Sequence, residues 1–153
     1  MNPWQGKQLR SMYDPTTQGY WFSVVDLCAV LTDISQDAAR NYWKQIKYRQ
    51  NLKQTQTVTE SNHLKFETPN GKYYNTEVVD FKNLIQFIQT HPSPKANPYR
   101  LWLTDMMFAG VAITEIEKEL AKLGEETAGQ IVEKYKDNPK EQYTRMTVQR
   151  EKL

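Results

Sequence analysis

Apolar and polar positions alternate in short runs at the start of the chain and at helical spacing further on, which predicts a few strands followed mostly by helices. Gln8 to Tyr13 alternates and then meets Asp14-Pro15-Thr16-Thr17-Gln18-Gly19, a strand followed by a turn. Tyr20-Trp21-Phe22 returns as a second strand. Ser23, with Asp26 three residues on, opens a short helix from Val24 to Leu31, because its hydroxyl accepts from a free backbone N–H and the acid suits the positive helix end. Thr32 to Gln36 breaks the pattern. Ser35 then caps a second helix, so the two form a helix-turn-helix-like pair.

On the second helix Ala39, Tyr42, Trp43 and Ile46 make the apolar stripe that faces a core. The β-prone stretch 55–59, the alternating run Leu64 to Thr68, the tight turn Asn70-Gly71 and a return through Lys72 to Thr76 predict a small antiparallel sheet. Phe81, Leu84, Ile85 and Ile88 are spaced as a helix that ends at His91-Pro92-Ser93-Pro94. Asn97 is the expected N-cap, with Pro98 at the first position, of a helix burying Tyr99, Trp102, Leu103 and Met106. Ile113, Ile116, Leu120 and Leu123 then form a 3-4-3 stripe, which Gly124 and Gly129 are expected to weaken or kink. The architecture expected is α+β: a small antiparallel sheet with packed helices and a helical C-terminal extension.

Charge adds a division. Residues 1–110 carry a net +3 and residues 111–153 a net −1, in a chain of 153 residues whose total is +2, so a boundary is placed near Gly110. Between Ala38 and Thr59 lie Arg40, Lys44, Lys47, Arg49 and Lys53 with no acid among them. Arg40, Lys44 and Lys47 recur at i, i+4 and i+7, which predicts one cationic helix face that seeks phosphates. Asn41, Gln45, Tyr48 and Asn51 flank it with groups able to read base edges. Whether Lys65, Lys72, Lys95 and Arg100 extend that surface depends on tertiary structure.

Catalytic chemistry finds little support. His63 and His91 lie in no zinc-ligand spacing, and no glycine loop cradles a phosphate, so neither a metal nor a cofactor is expected. Cys28 reads as a small buried hydrophobe, and Asp14, Asp26, Asp33, Asp37 and Asp80 stand at turns and helix starts, where capping explains them. Trp21, Trp43 and Trp102 sit on apolar stripes and read as core. The apolar run at Val24-Val25 is cut by Asp26, far short of the roughly 20 residues of a membrane helix, and the N-terminus shows no secretory pattern. A cytoplasmic location without membrane attachment is the expectation, consistent with one lone cysteine.

Trp21-Phe22-Ser23-Val24-Val25-Asp26, then Tyr42-Trp43-Lys44, Gly71-Lys72 and Ser93-Pro94-Lys95-Ala96-Asn97-Pro98-Tyr99 resemble, in that order, the Bro-N domain of baculovirus BRO proteins and phage or prophage antirepressors. The resemblance runs from about Lys7 to Phe108. It departs at Asn97, where an acid is expected, and at Asn70, which replaces a frequent aspartate. It implies an α+β module that binds DNA in transcriptional regulation or antirepression, in a bacterial host cell, with no catalytic residues. The basic face supports duplex binding independently. The rival reading is a protein-binding antirepressor that captures a repressor or host factor through an apolar patch on 111–135, and the 3-4-3 stripe also allows a homodimer.

Overall fold

A computed structural model of the chain describes residues 2–53, 62–67 and 73–127, with side chains over 2–49 and 76–124. Strands β1 (Ser11–Asp14), β2 (Gly19–Ser23), β3 (Asn62–Glu67) and β4 (Tyr73–Asp80) form one antiparallel sheet in the order β1-β2-β4-β3. Helices α1 (Val24–Thr32), α2 (Gln36–Lys53), α3 (Phe81–Thr90), α4 (Asn97–Phe108) and α5 (Ile113–Thr127) surround it, with a 3-10 turn at Pro94–Ala96. The expected α+β class is what the chain adopts. The 55–59 stretch, the Asn70-Gly71 turn and Gly129 lie outside the described residues.

Local chemistry accounts for most boundaries. Asp14 Oδ1 accepts from Thr16 N at 2.9 Å, tightening the β1–β2 turn, while its Oδ2 accepts from Trp21 Nε1 at 3.0 Å across the hairpin. Ser23 Oγ accepts from Asp26 N at 3.2 Å and starts α1. Asp33 closes that helix in the left-handed region at φ 56°. Just beyond it, Ser35 Oγ accepts from Ala38 N and starts α2. Asp80 caps α3 by accepting from Asn83 N at 2.9 Å. β1 begins later than the alternation predicts, since 8–10 run outside the strand.

Asn97 is not the N-cap of α4. Ser93 Oγ accepts from Lys95 N and opens the 3-10 turn, which feeds directly into the helix. Asn97 already has helical dihedrals, and its side-chain Oδ1 accepts from Arg100 instead.

The core gathers Phe22, Leu27, Leu31, Leu84 and Ile88 between sheet and helices, and Trp4 closes one end against Tyr99 with rings 4.7 Å apart. Trp21 and Trp43 are buried and Trp102 packs half-buried against the core, as their stripes predict. Cys28 is fully buried, and burial, with Glu77 nearby, pushes its thiol up to about 12, leaving it a hydrophobe rather than a nucleophile.

α5 packs on β1 and β2. Ile116, Leu120, Ala121 and Leu123 are buried there, Ser11 Oγ donates to Ala121 O, and Tyr20 N donates to Glu117 Oε2 at 2.7 Å. The helix does not break at Gly124, where an added Cβ would lie 3.1 Å from Leu9 O and 3.2 Å from Ser11 N. Glycine here permits a close backbone approach, and the local helix penalty is offset by tertiary packing.

Candidate nucleic-acid interface

Helix α2 takes its orientation from one buried side and two tethers. Ala39 and Trp43 are buried and Ile46 half-buried against the core. At its first turn Gln36 Nε2 donates to Asp26 Oδ1 at 3.0 Å. Asp26 is wholly buried, and it also accepts from Arg10 N at 2.8 Å, from Arg10 Nε at 2.9 Å and from Arg10 Nη2 at 3.0 Å. One carboxylate thus joins the lead-in to β1, helix α1 and the start of α2.

The second tether is Tyr42, whose hydroxyl lies 2.9 Å from His91 Nε2. Ser93 N donates to His91 Nδ1 at 3.2 Å, which fixes the neutral tautomer with its proton on Nε2, given to Tyr42. Burial, and then the nearby Arg100 charge, hold the imidazole below its ordinary value of 6.5. Between that lowered value and 6.5 the unfolded chain binds the proton more readily than the folded one, so the stability His91 contributes is present above 6.5 and lost as pH falls. The thermal midpoint is therefore expected to drop more steeply from about pH 7.5 to about pH 5 in the natural chain than in His91→Gln. Equal slopes in the two proteins would rule out this role.

The cations on α2 do not share one fate. Lys44 is exposed and pairs with no carboxylate among the described residues. Arg40 meets Asp37 at 2.6 Å, one turn back, but both side chains are largely exposed, and such a pair contributes little and is screened by salt. Lys47 is different: its ammonium pairs with Glu77 on β4, which also accepts from Trp43 Nε1 at 2.8 Å, and lies 5.6 Å from the Trp43 ring centre. The expectation of three free cations in a row is corrected here. The acid-free window along the chain says nothing of a carboxylate that the sheet delivers from 30 residues away.

Asn41, Gln45 and Tyr48 are all exposed, Tyr48 at 65%. Arg49 is also exposed but lies on the Tyr42 side of the helix, away from Lys44 and Lys47, given about 100° of turn per residue. Asn51 and Lys53 occupy the last turn of α2, and their side chains lie outside the described residues. Glu77, Asp26 and His91 escaped the sequence reading as organisers of this helix; the helical position of Tyr42 was the only local hint.

Other surfaces hold less chemistry. A cleft of about 340 Å³ is lined by Tyr20, Trp21, Asp80, Lys82, Ile85 and Glu117 among others. Burial raises the Glu117 carboxyl, against the lowering effect of the Tyr20 N–H bond, with Asp80 adding to the rise. No group of three His, Cys, Asp or Glu side chains among the described residues is placed to hold a metal ion. No helix among them is long and apolar enough to cross a membrane. The 3-4-3 stripe expected to allow self-association is mostly consumed: Ile116, Leu120 and Leu123 are buried against the chain's own sheet and only Ile113 of the four stays exposed, while 128–135, the rest of the region expected to capture a partner, lie outside the described residues. Exposed apolar side chains stand instead at Leu101, Met107 and Phe108 on α4, Phe108 at 89%.

The fold and this surface together are those of a small α+β module that holds a polar, cation-flanked helix outward. The model of the BRO family N-terminal domain matches residues 8–109, two thirds of the 153, and the chain belongs to that Bro-N family. The Bro-N domain is associated with DNA-binding and antirepressor-like proteins. No curated protein and no solved structure matches the chain.

Proposed function

We propose that this chain is a non-enzymatic DNA-binding regulator of phage or prophage antirepressor type, acting in the cytoplasm of a bacterial host and gripping duplex phosphates through α2. The observation that carries the reading is the outward side of α2, where Lys44 has no acidic partner among the described residues and Arg40 has only an exposed, screened one, beside Asn41, Gln45 and Tyr48. Lys47 joins them only by leaving Glu77. Residues 1–110 form the binding module in this proposal and 111–153 an extension whose first helix is seated on it.

Binding to a random duplex is expected to weaken with salt, with a log–log slope of about −4 to −5 if about five phosphates are neutralised. Arg40→Glu with Lys44→Glu is expected to abolish retention at about 150 mM salt, where the Debye length is about 8 Å. Anisotropy titration at several salt concentrations measures both. A natural chain whose affinity ignores salt would remove electrostatic DNA binding from the account.

A second reading rests on Phe108, Leu101 and Met107, whose exposure suits capture of a repressor protein without DNA. Under that reading Phe108→Ser abolishes complex formation and the charge reversals do not.

A further inference from the structure

Tertiary structure brings cations from outside α2 to its second flank. Tyr42 joins α2 to His91, and Arg100, on α4, donates to the carbonyl oxygen of that same His91 and to Asn97 Oδ1. Arg49 follows Tyr42 by two turns of α2 and lies about 20° from it around the helix axis, so it stands on the Tyr42 side. One phenol and one imidazole therefore gather Arg49 and Arg100 on the same side of α2. Lys95 is exposed in the 3-10 turn that begins three residues after His91 and is tied to that ring through Ser93 N. None of Arg49, Lys95 and Arg100 is ion-paired with a carboxylate among the described residues.

On the α2 circumference, with Ala39 and Trp43 inward, Asn41 and Tyr48 lie nearly opposite, about 180° away, with Gln45 close by. Arg40 and Lys44 stand to one side of that uncharged ridge and Arg49 to the other. A helix about 10–12 Å across fits a major groove about 12 Å wide, and its outermost ridge then meets base edges while its two flanks meet the two phosphate backbones.

We infer that α2 enters the groove of a DNA duplex with phosphate contacts on both flanks, Arg40 and Lys44 on one strand and Arg49, Lys95 and Arg100 on the other. The inference rests on the DNA-binding reading and deepens it, because it commits the ligand to two strands. The second flank is an anion site of tertiary origin, built from α2, the 3-10 turn and α4.

The test uses the full chain, a random duplex of about 20 bp and the matching single strand, with anisotropy titrations between about 50 and 200 mM salt. Arg49→Gln/Lys95→Gln is compared with Arg40→Gln/Lys44→Gln. Arg49 and Lys95 are exposed and their side chains make no hydrogen bond among the described residues, so thermal midpoints should be unmoved. Each pair is expected to flatten the duplex slope by about 1.8, at about 0.9 for each phosphate no longer neutralised, equally on unrelated sequences. On the single strand only one pair is expected to matter. Should Arg49→Gln/Lys95→Gln leave the duplex slope unchanged while Arg40→Gln/Lys44→Gln flattens it, the two-flank inference falls and DNA binding stands. Equal flattening on the single strand also overturns groove entry, and a natural chain with no salt-dependent binding overturns both readings.

Discussion

Asp26→Ala is expected to cost about 3–5 kcal/mol, the range for removing one partner from a buried ion pair. The carboxylate is 0% exposed, and its two oxygens accept from the Arg10 backbone N–H, the Arg10 guanidinium and the Gln36 amide, with Gln8 Nε2 at 3.4 Å. Alanine leaves these donors facing one another around a void, and Arg10 keeps a charge whose side chain is only 24% exposed. A loss of this size is a large part of a typical total of about 5–15 kcal/mol. Asp26→Asn separates shape from charge: it keeps one acceptor oxygen but turns an amide group toward the Arg10 donors, and should fall between the natural chain and the alanine variant. Urea midpoints read the effect, with an unchanged m-value showing that stability alone has moved. A cost under about 1 kcal/mol would mean that Arg10 recovers its hydration freely and that the pair does not organise the fold. Since Gln36 opens α2, the proposed DNA binding is expected to weaken in these variants alongside stability.

Leu120→Ala is expected to cost about 2–5 kcal/mol, from the transfer energy of a buried leucine plus the cavity left behind. Leu120 is 1% exposed, and Ile116 and Ala121 beside it are buried to a similar degree, against β1 and β2. Ending the chain after Gly110 removes all three with Leu123, and uncovers Ser11, whose hydroxyl then has no Ala121 O to donate to. The shortened chain is therefore expected to melt well below the full one. This outcome bears on any search for a partner of the C-terminal region, because loss of capture after truncation would follow from unfolding alone. A shortened chain with an unchanged thermal midpoint would show that α5 is seated without stabilising the module. Gly124→Ala tests the same seat more finely, because the atoms nearest the added Cβ include Leu9 O and Ser11 N, backbone that cannot swing aside.

Features settled within a few residues were legible along the chain. Ser23, Ser35 and Asp80 cap helices because each needs only the N–H three residues on. The turn at Asp14 and the stop at His91 are equally local, and helical spacing marks Trp43, Leu84 and Leu120 for burial whatever covers them. The order of residues also carried enough of the Ser-Pro-Lys-Ala and Trp-Phe-Ser-Val-Val-Asp pattern to show the family. Even so, Asn97 was misplaced at short range, because Ser93, four residues earlier, competes for the helix start and wins.

The make-up of the candidate surface was decided only when the chain closed on itself. Whether a lysine is free depends on which carboxylate lies near it in space, and Lys47 lost its freedom to Glu77, a residue from the sheet. Arg100 gained a place beside α2 through His91 and Tyr42, which no spacing along the chain records. The α5 stripe, legible as a surface in search of a cover, found it on β1 and β2 of its own chain. Caps and turns are short-range and add up residue by residue, whereas Coulomb energy and desolvation depend on every neighbour within several ångströms, and those neighbours are chosen only when the sheet and helices close around one core.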